Sequence, residues 1–94
     1  MQFLVSIDIL LPLTMPSDER DALVEAEGRR AQELVSAGRL VNLWRVPGRR
    51  ANVGIWEAPD ATALHEALTS LPLWPWMDAQ VVPLADHPNG PKNQ

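Results

Sequence analysis

The strongest constraint on this chain is the order in which its hydrophobic period changes. Phe3, Val5, Ile7 and Ile9 alternate with Gln2, Ser6 and Asp8, which predicts a strand with one polar side. Pro12 and Pro16 break the chain, and the period then becomes helical. Ser17, followed by Asp18 and Glu19 in the positive first turn, opens a helix carrying Leu23, Ala26, Ala31 and Leu34. Gly38 supplies its C-terminal stop. Leu40 to Val46 and Ala51 to Trp56 have strand character on either side of Pro47-Gly48-Arg49-Arg50, which predicts a hairpin. Asp60 can cap a second helix bearing Ala63, Leu64, Ala67, Leu68 and Leu71, ended by Pro72 and Pro75. Met77 to Leu84 reads as a last strand.

The order β-α-β-β-α-β is the split βαβ pattern of a ferredoxin-like α+β sandwich, with two helices on one face of a four-stranded antiparallel sheet. The other sheet face must be polar or covered. The hairpin is predicted to be apolar on both sides, with Trp44, Val46, Val53 and Ile55 on one and Val41, Leu43 and Trp56 on the other. That favours a homo-oligomer built through the open face. Size points the same way. A chain of 94 residues is one domain with a modest core, yet it is 46% hydrophobic and carries four tryptophans. The domain is expected over residues 1–88. Residues 89–94, rich in Pro, Gly and Asn, form a tail ordered by a neighbour or not at all.

Charge and composition exclude several functions. The net charge is −4, and the one basic cluster, Arg45, Arg49 and Arg50, is too small for a nucleic-acid duplex but suits a single carboxylate. With no cysteine there is no disulfide and no thiolate chemistry, which fits a cytoplasmic protein. No signal peptide or membrane span is expected, because the first residues lack a positive run and a long apolar stretch. His65 and His87 sit in unrelated segments, so no metal site is expected. Phosphate loops, nucleophile elbows and dinucleotide fingerprints are absent. The remaining chemistry is acid-base and cofactor-free.

Three groups of residues can carry it. Glu27 shares a helix face with Leu23, Ala31 and Leu34, which points a carboxyl toward the apolar side. Burial there raises the pKa and suits a proton shuttle. The alternative is a rim position, paired with Arg29 or Arg30. A symmetric hairpin sets Arg45 opposite Asn52. The guanidinium can grip a carboxylate and the amide can donate to a carbonyl, or the two form a polar pair at an exposed hairpin end. Arg49 and Arg50 are turn residues, solvated by default. Trp44 and Trp56 are assigned to core or interface. Trp74 and Trp76 lie in a proline-broken segment that can wall a pocket or dock on a neighbour. His65 is expected on the outer face of the second helix.

Leu43-Trp44-Arg45, Gly48, Ala51-Asn52, the Leu71 to Met77 segment and His87-Pro88, taken in order, resemble the muconolactone delta-isomerase family. The resemblance spans residues 1 to about 88 and implies a ferredoxin-like subunit in a decamer, with pockets near subunit interfaces. It implies a cofactor-free reaction that moves a double bond in an unsaturated lactone bearing an acetate arm, converting muconolactone to 3-oxoadipate enol-lactone in aromatic catabolism by the 3-oxoadipate pathway. Glu27 stands at the family's glutamate, Asn52 at its asparagine, and Arg45 follows Trp44 as in many members. Two positions depart from the pattern. The family has a tyrosine where this chain has Arg50, and Leu-Phe-Pro-Tyr-Met where this chain has Leu73-Trp74-Pro75-Trp76-Met77; the chain has no tyrosine.

The expected ligand is therefore a small carboxylated lactone or related unsaturated carbonyl compound. Glu27 and Asn52 are the catalytic candidates, and Arg45, Arg50, Trp74 and Trp76 the substrate-binding ones. Two other functions share the scaffold: an isomerase or cyclase for a different unsaturated carbonyl compound in a biosynthetic route, and a non-catalytic ligand-binding protein.

Overall fold

The computed structural model describes residues 1–91. Its elements follow the expected order: β1 (Gln2–Ile9), α1 (Ser17–Ser36), β2 (Leu40–Arg45), β3 (Ala51–Glu57), α2 (Ala61–Thr69) and β4 (Met77–Leu84). A short 3₁₀ turn, Trp74–Trp76, precedes β4. The four strands form one sheet in the order β2-β3-β1-β4, and every neighbouring pair is antiparallel. This is the ferredoxin-like α+β arrangement.

Local chemistry sets the boundaries. Helix α1 ends in a Schellman motif: Gly38 has φ +74, its N–H donates to the Val35 carbonyl, and the Arg39 N–H donates to Leu34. The Asp60 carboxylate accepts from the Ala63 N–H at 2.8 Å and caps α2, a contact worth about 1 kcal/mol in typical helices. Helix α2 stops at Thr69, so Leu71 packs from the following turn rather than from the helix. The hairpin turn places Pro47 before Gly48 at φ +76, and the Arg49 N–H donates to the Val46 carbonyl. That is a type II turn, which needs a residue tolerant of positive φ where Gly48 stands.

The helix-facing side of the sheet forms the core. Phe3, Val5 and Ile7 of β1, Leu40 of β2 and Trp56 of β3 are buried with Leu34 of α1 and with Leu64, Ala67, Leu68 and Leu71. Gly54 lies in the same layer, where a Cβ would meet the Asn42 carbonyl oxygen at 2.7 Å, so β2 and β3 approach too closely for any side chain there.

The hairpin faces differ in part from the sequence expectation. A register shift between Leu40 and Asn42 leaves Val41 at a bulge, so Leu40, not Val41, pairs with Trp56 on the core side. Trp44 pairs with Val53 on the side away from the helices and is 52% exposed, whereas Trp56 is 2% exposed. Of the two hairpin tryptophans, only Trp56 is a core residue of this chain. The open face presents Trp44, Val53, Ile55, Leu4, Val82 and Leu84, with Ser6 and Gln80 between them. Pro83 pairs with Phe3 in β4, an edge strand, where a residue without an N–H is tolerated. Residues 85–91 form no helix or strand, and the rest of the expected tail lies outside the described residues.

Candidate active site

Helix α1 buries only Leu34 completely; Leu23, Ala26, Glu27 and Ala31 are half-buried. Glu27 therefore lies along the helix face turned inward, at the seam with the segment that follows α2. Its Oε1 accepts a hydrogen bond from the Leu73 backbone N–H at 3.0 Å. The arginines that could have held it at the rim are engaged elsewhere. Arg29 pairs with Glu25 at 2.8 Å, and Arg30 pairs with Glu33 at 3.1 Å and donates to Ser70. Burial raises the Glu27 pKa above its ordinary 4.5, and the Leu73 N–H opposes this without cancelling it.

That shift has a thermodynamic consequence. Glu27 binds its proton more tightly in the folded protein than in the unfolded chain. Below the ordinary value of 4.5 it is neutral in both states and costs nothing. As pH rises from there through the raised folded pKa, the unfolded chain ionises first and stability is lost. Glu27→Gln is expected to be more stable than the parent at neutral pH and equally stable below pH 4.5, at one protein concentration. Denaturant midpoints measured across that range check this; a variant less stable at neutral pH would show that the ionised carboxyl is held favourably.

The sheet supplies the second group. Arg45 pairs with Asn52, as the hairpin symmetry predicted, and Asn52 pairs in turn with Ile7. Both side chains therefore rise from the helix-facing side, at the end of the sheet where β1 finishes. The Asn52 Oδ1 is buried without a hydrogen-bond partner. An orphaned buried acceptor costs about 1–3 kcal/mol, so Asn52 is held at the expense of stability. Among the described residues its amide nitrogen makes no hydrogen bond, nor does the exposed Arg45 guanidinium, and Arg45 has no ion pair.

Arg50 extends this row. Its carbonyl accepts from the Ile9 N–H at 2.9 Å, and it lines a cleft of about 260 Å³ with Ile9, Leu11, Leu13 and Arg20. Arg49 pairs with Asp8 at 3.1 Å, and borders an adjoining cleft together with Arg50 and Asp78. Both turn arginines are exposed, as expected of turn residues; Arg49 is spent on a surface ion pair and Arg50 borders the cleft.

Arg20 was not among the sequence candidates. The available signal was its spacing, since it precedes Glu27 by seven residues, two helical turns on one face. Trp74 packs partly buried on the core and meets His65 edge-on at 6.4 Å between ring centroids. Trp76 is half-buried, and its carbonyl accepts from the Leu10 N–H at 2.7 Å. The aromatic segment therefore anchors the loop that walls the cleft, but neither indole lines it. Glu27 and Asn52 do not line the cleft either. Within one chain, the carboxyl and the amide stand beside the arginine cleft but do not share a closed cavity with it. No group of His, Cys, Asp and Glu side chains among the described residues could hold a metal ion.

An α+β sandwich with a half-buried carboxyl on its long helix, and an unpaired amide and arginines on its sheet, is the class of small protein equipped for acid-base chemistry on an anionic compound. The sequence profile of muconolactone delta-isomerase matches residues 1–90, and the chain belongs to that family. It is 39% identical over 89 residues to the muconolactone delta-isomerase of Cupriavidus pinatubonensis, covering 95% of this chain and 97% of the relative. It is 37% identical over 89 residues to that of Pseudomonas aeruginosa, covering 95% and 93% respectively. The crystal structure of muconolactone isomerase superposes with a TM-score of 0.92 at 35% identity, covering 100% of this chain and 98% of that one.

Proposed function

We infer that this protein is an isomerase that shifts the double bond of an unsaturated lactone by proton transfer, with muconolactone as substrate and 3-oxoadipate enol-lactone as product. Family membership over residues 1–90 is the observation that carries this reading. In the proposed reaction Glu27 takes the ring proton conjugated through the double bond to the lactone carbonyl. The electron pair delocalises as a dienolate onto the carbonyl oxygen, where the Asn52 amide donates a hydrogen bond. Glu27 returns the proton to the carbon beside the carbonyl, and the double bond has moved. One carboxyl with a raised pKa serves both steps, since it must hold the proton between them. Arg45 or Arg50 binds the carboxylate arm, and Trp74 and Trp76 shape the site. No cofactor enters this scheme. Steady-state kinetics with purified protein and muconolactone test it: efficient turnover supports the reading. Turnover confined to another unsaturated carbonyl compound would favour a diverged isomerase or cyclase, a role suggested by Arg50 and the lack of tyrosine.

The site is proposed to be completed in a homo-oligomer, a decamer as the family resemblance implies. The half-buried face of α1 and the apolar open sheet face support this. Sedimentation at micromolar concentration should show an assembly well above one chain; a stable monomer would contradict it. Residues 1–88 are the catalytic domain in this reading, and 89–94 the tail. No helix among the described residues is long and apolar enough to cross a membrane. A cytoplasmic location is part of this proposal.

A further inference from the structure

We propose that Arg20 is a specificity-determining residue which, with Arg50, binds the substrate's carboxylate in the cleft over Ile9, Leu11 and Leu13. The inference rests on the isomerase reading and goes beyond it by choosing where the acid arm lies. Both arginines border one cleft of about 260 Å³ whose other lining residues are aliphatic. Among the described residues, neither has a carboxylate partner, although Arg29, Arg30 and Arg49 each have one. Arg50 also borders an adjoining cleft with Asp8, Asp78 and Arg49, where Asp8 is held by Arg49. On the Arg20 side the lining carries no carboxylate, and an anion bound between the two guanidinium groups is attracted by both.

Placement argues the same way. Arg20 donates to the Pro12 carbonyl at 3.3 Å, a long bond that ties its guanidinium to the loop carrying Leu11 and Leu13 and leaves most of its donors free. Arg20 and Glu27 lie seven residues apart on one helix face, a rise of about 10 Å. From the sheet, Arg50 stands two residues before Asn52, hence on the same side. A carboxylate in the cleft thus directs its ring toward Glu27 and Asn52. Arg45, on the outer strand β2, is not needed to hold it.

The test uses a non-reacting probe, the saturated lactone acid (5-oxotetrahydrofuran-2-yl)acetate, and its methyl ester. Calorimetric titration of the assembled wild-type protein should show the acid bound more tightly than the ester by about tenfold or more. Arg20→Gln keeps a donor for Pro12 but removes the charge. It should lose about tenfold or more in acid affinity while leaving the ester within about twofold. Raising salt should narrow the acid-ester gap in the wild type and narrow it less in the variant, which keeps only Arg50. Arg20→Lys should restore part of the gap. The proposal is overturned if Arg20→Gln keeps the preference, if acid and ester affinities fall together, or if the variant dissociates in sedimentation, which would assign the arginine to a subunit contact. Failure of the isomerase reading is distinguishable: wild type would then not turn over muconolactone, whatever the probe shows.

Discussion

Glu27→Gln is expected to leave the protein folded and assembled while lowering muconolactone turnover by at least about a hundredfold, within the range of roughly a hundred- to ten-thousand-fold that one acid-base group contributes. Glutamine has the same shape and its carbonyl can still accept from Leu73, so the seam between α1 and the aromatic segment survives. What disappears is the one carboxyl among the described residues that burial pushes toward neutrality. Asp8 is committed to Arg49, and His65 packs on Trp74 at the outer surface. In the wild type, the acid limb of kcat against pH should lie above the ordinary glutamate value of 4.5, because burial favours the protonated carboxyl and the base must be ionised to begin. Near-full activity in Glu27→Gln would assign the base elsewhere. Loss of assembly along with activity would make the residue structural.

Asn52→Leu should separate activity from stability in opposite directions. The leucine removes an orphaned buried acceptor without opening a large void, so stability should hold or rise. It also removes the donor proposed for the dienolate oxygen, and loss of one such donor typically lowers kcat by about a hundred- to a thousandfold. The effect should fall on kcat rather than KM, because the charge on that oxygen develops only during reaction. A thermal melt and a kinetic series on one preparation suffice. Retained turnover would remove Asn52 from the mechanism, and a drop in both melting temperature and turnover would mark it as packing.

The sequence is most readable where one period dominates. β1 alternates except at Leu4, and its core face follows from that pattern. The pairing of Arg45 with Asn52 follows from turn symmetry, and the inward position of Glu27 from helical spacing. Features set by tertiary contact were not readable. The bulge at Val41 inverts the expected pairing at one end of the hairpin, and nothing local in Leu40-Val41-Asn42 announces it. The close approach at Gly54 depends on the Asn42 carbonyl across the ladder. Arg20 looked like any surface arginine of an amphipathic helix until the loop carrying Leu11 and Leu13 folded against it. Trp44 and Trp56 have similar strand contexts, yet pleat direction places one in the core and the other on the open face. Even the family resemblance could not foresee that Arg50 borders the cleft while its neighbour Arg49 is spent on Asp8.

One experiment bears on all of this: muconolactone incubated with chelator-treated protein in D₂O and followed by proton NMR. The account predicts that the starting ring signals give way to those of the enol-lactone at a catalysed rate. New hydrogen, solvent-derived or returned, should appear only at the carbon beside the carbonyl, and the conversion should collapse in Glu27→Gln. Muconolactone that persists at its uncatalysed rate, or conversion that requires an added metal ion, would contradict it.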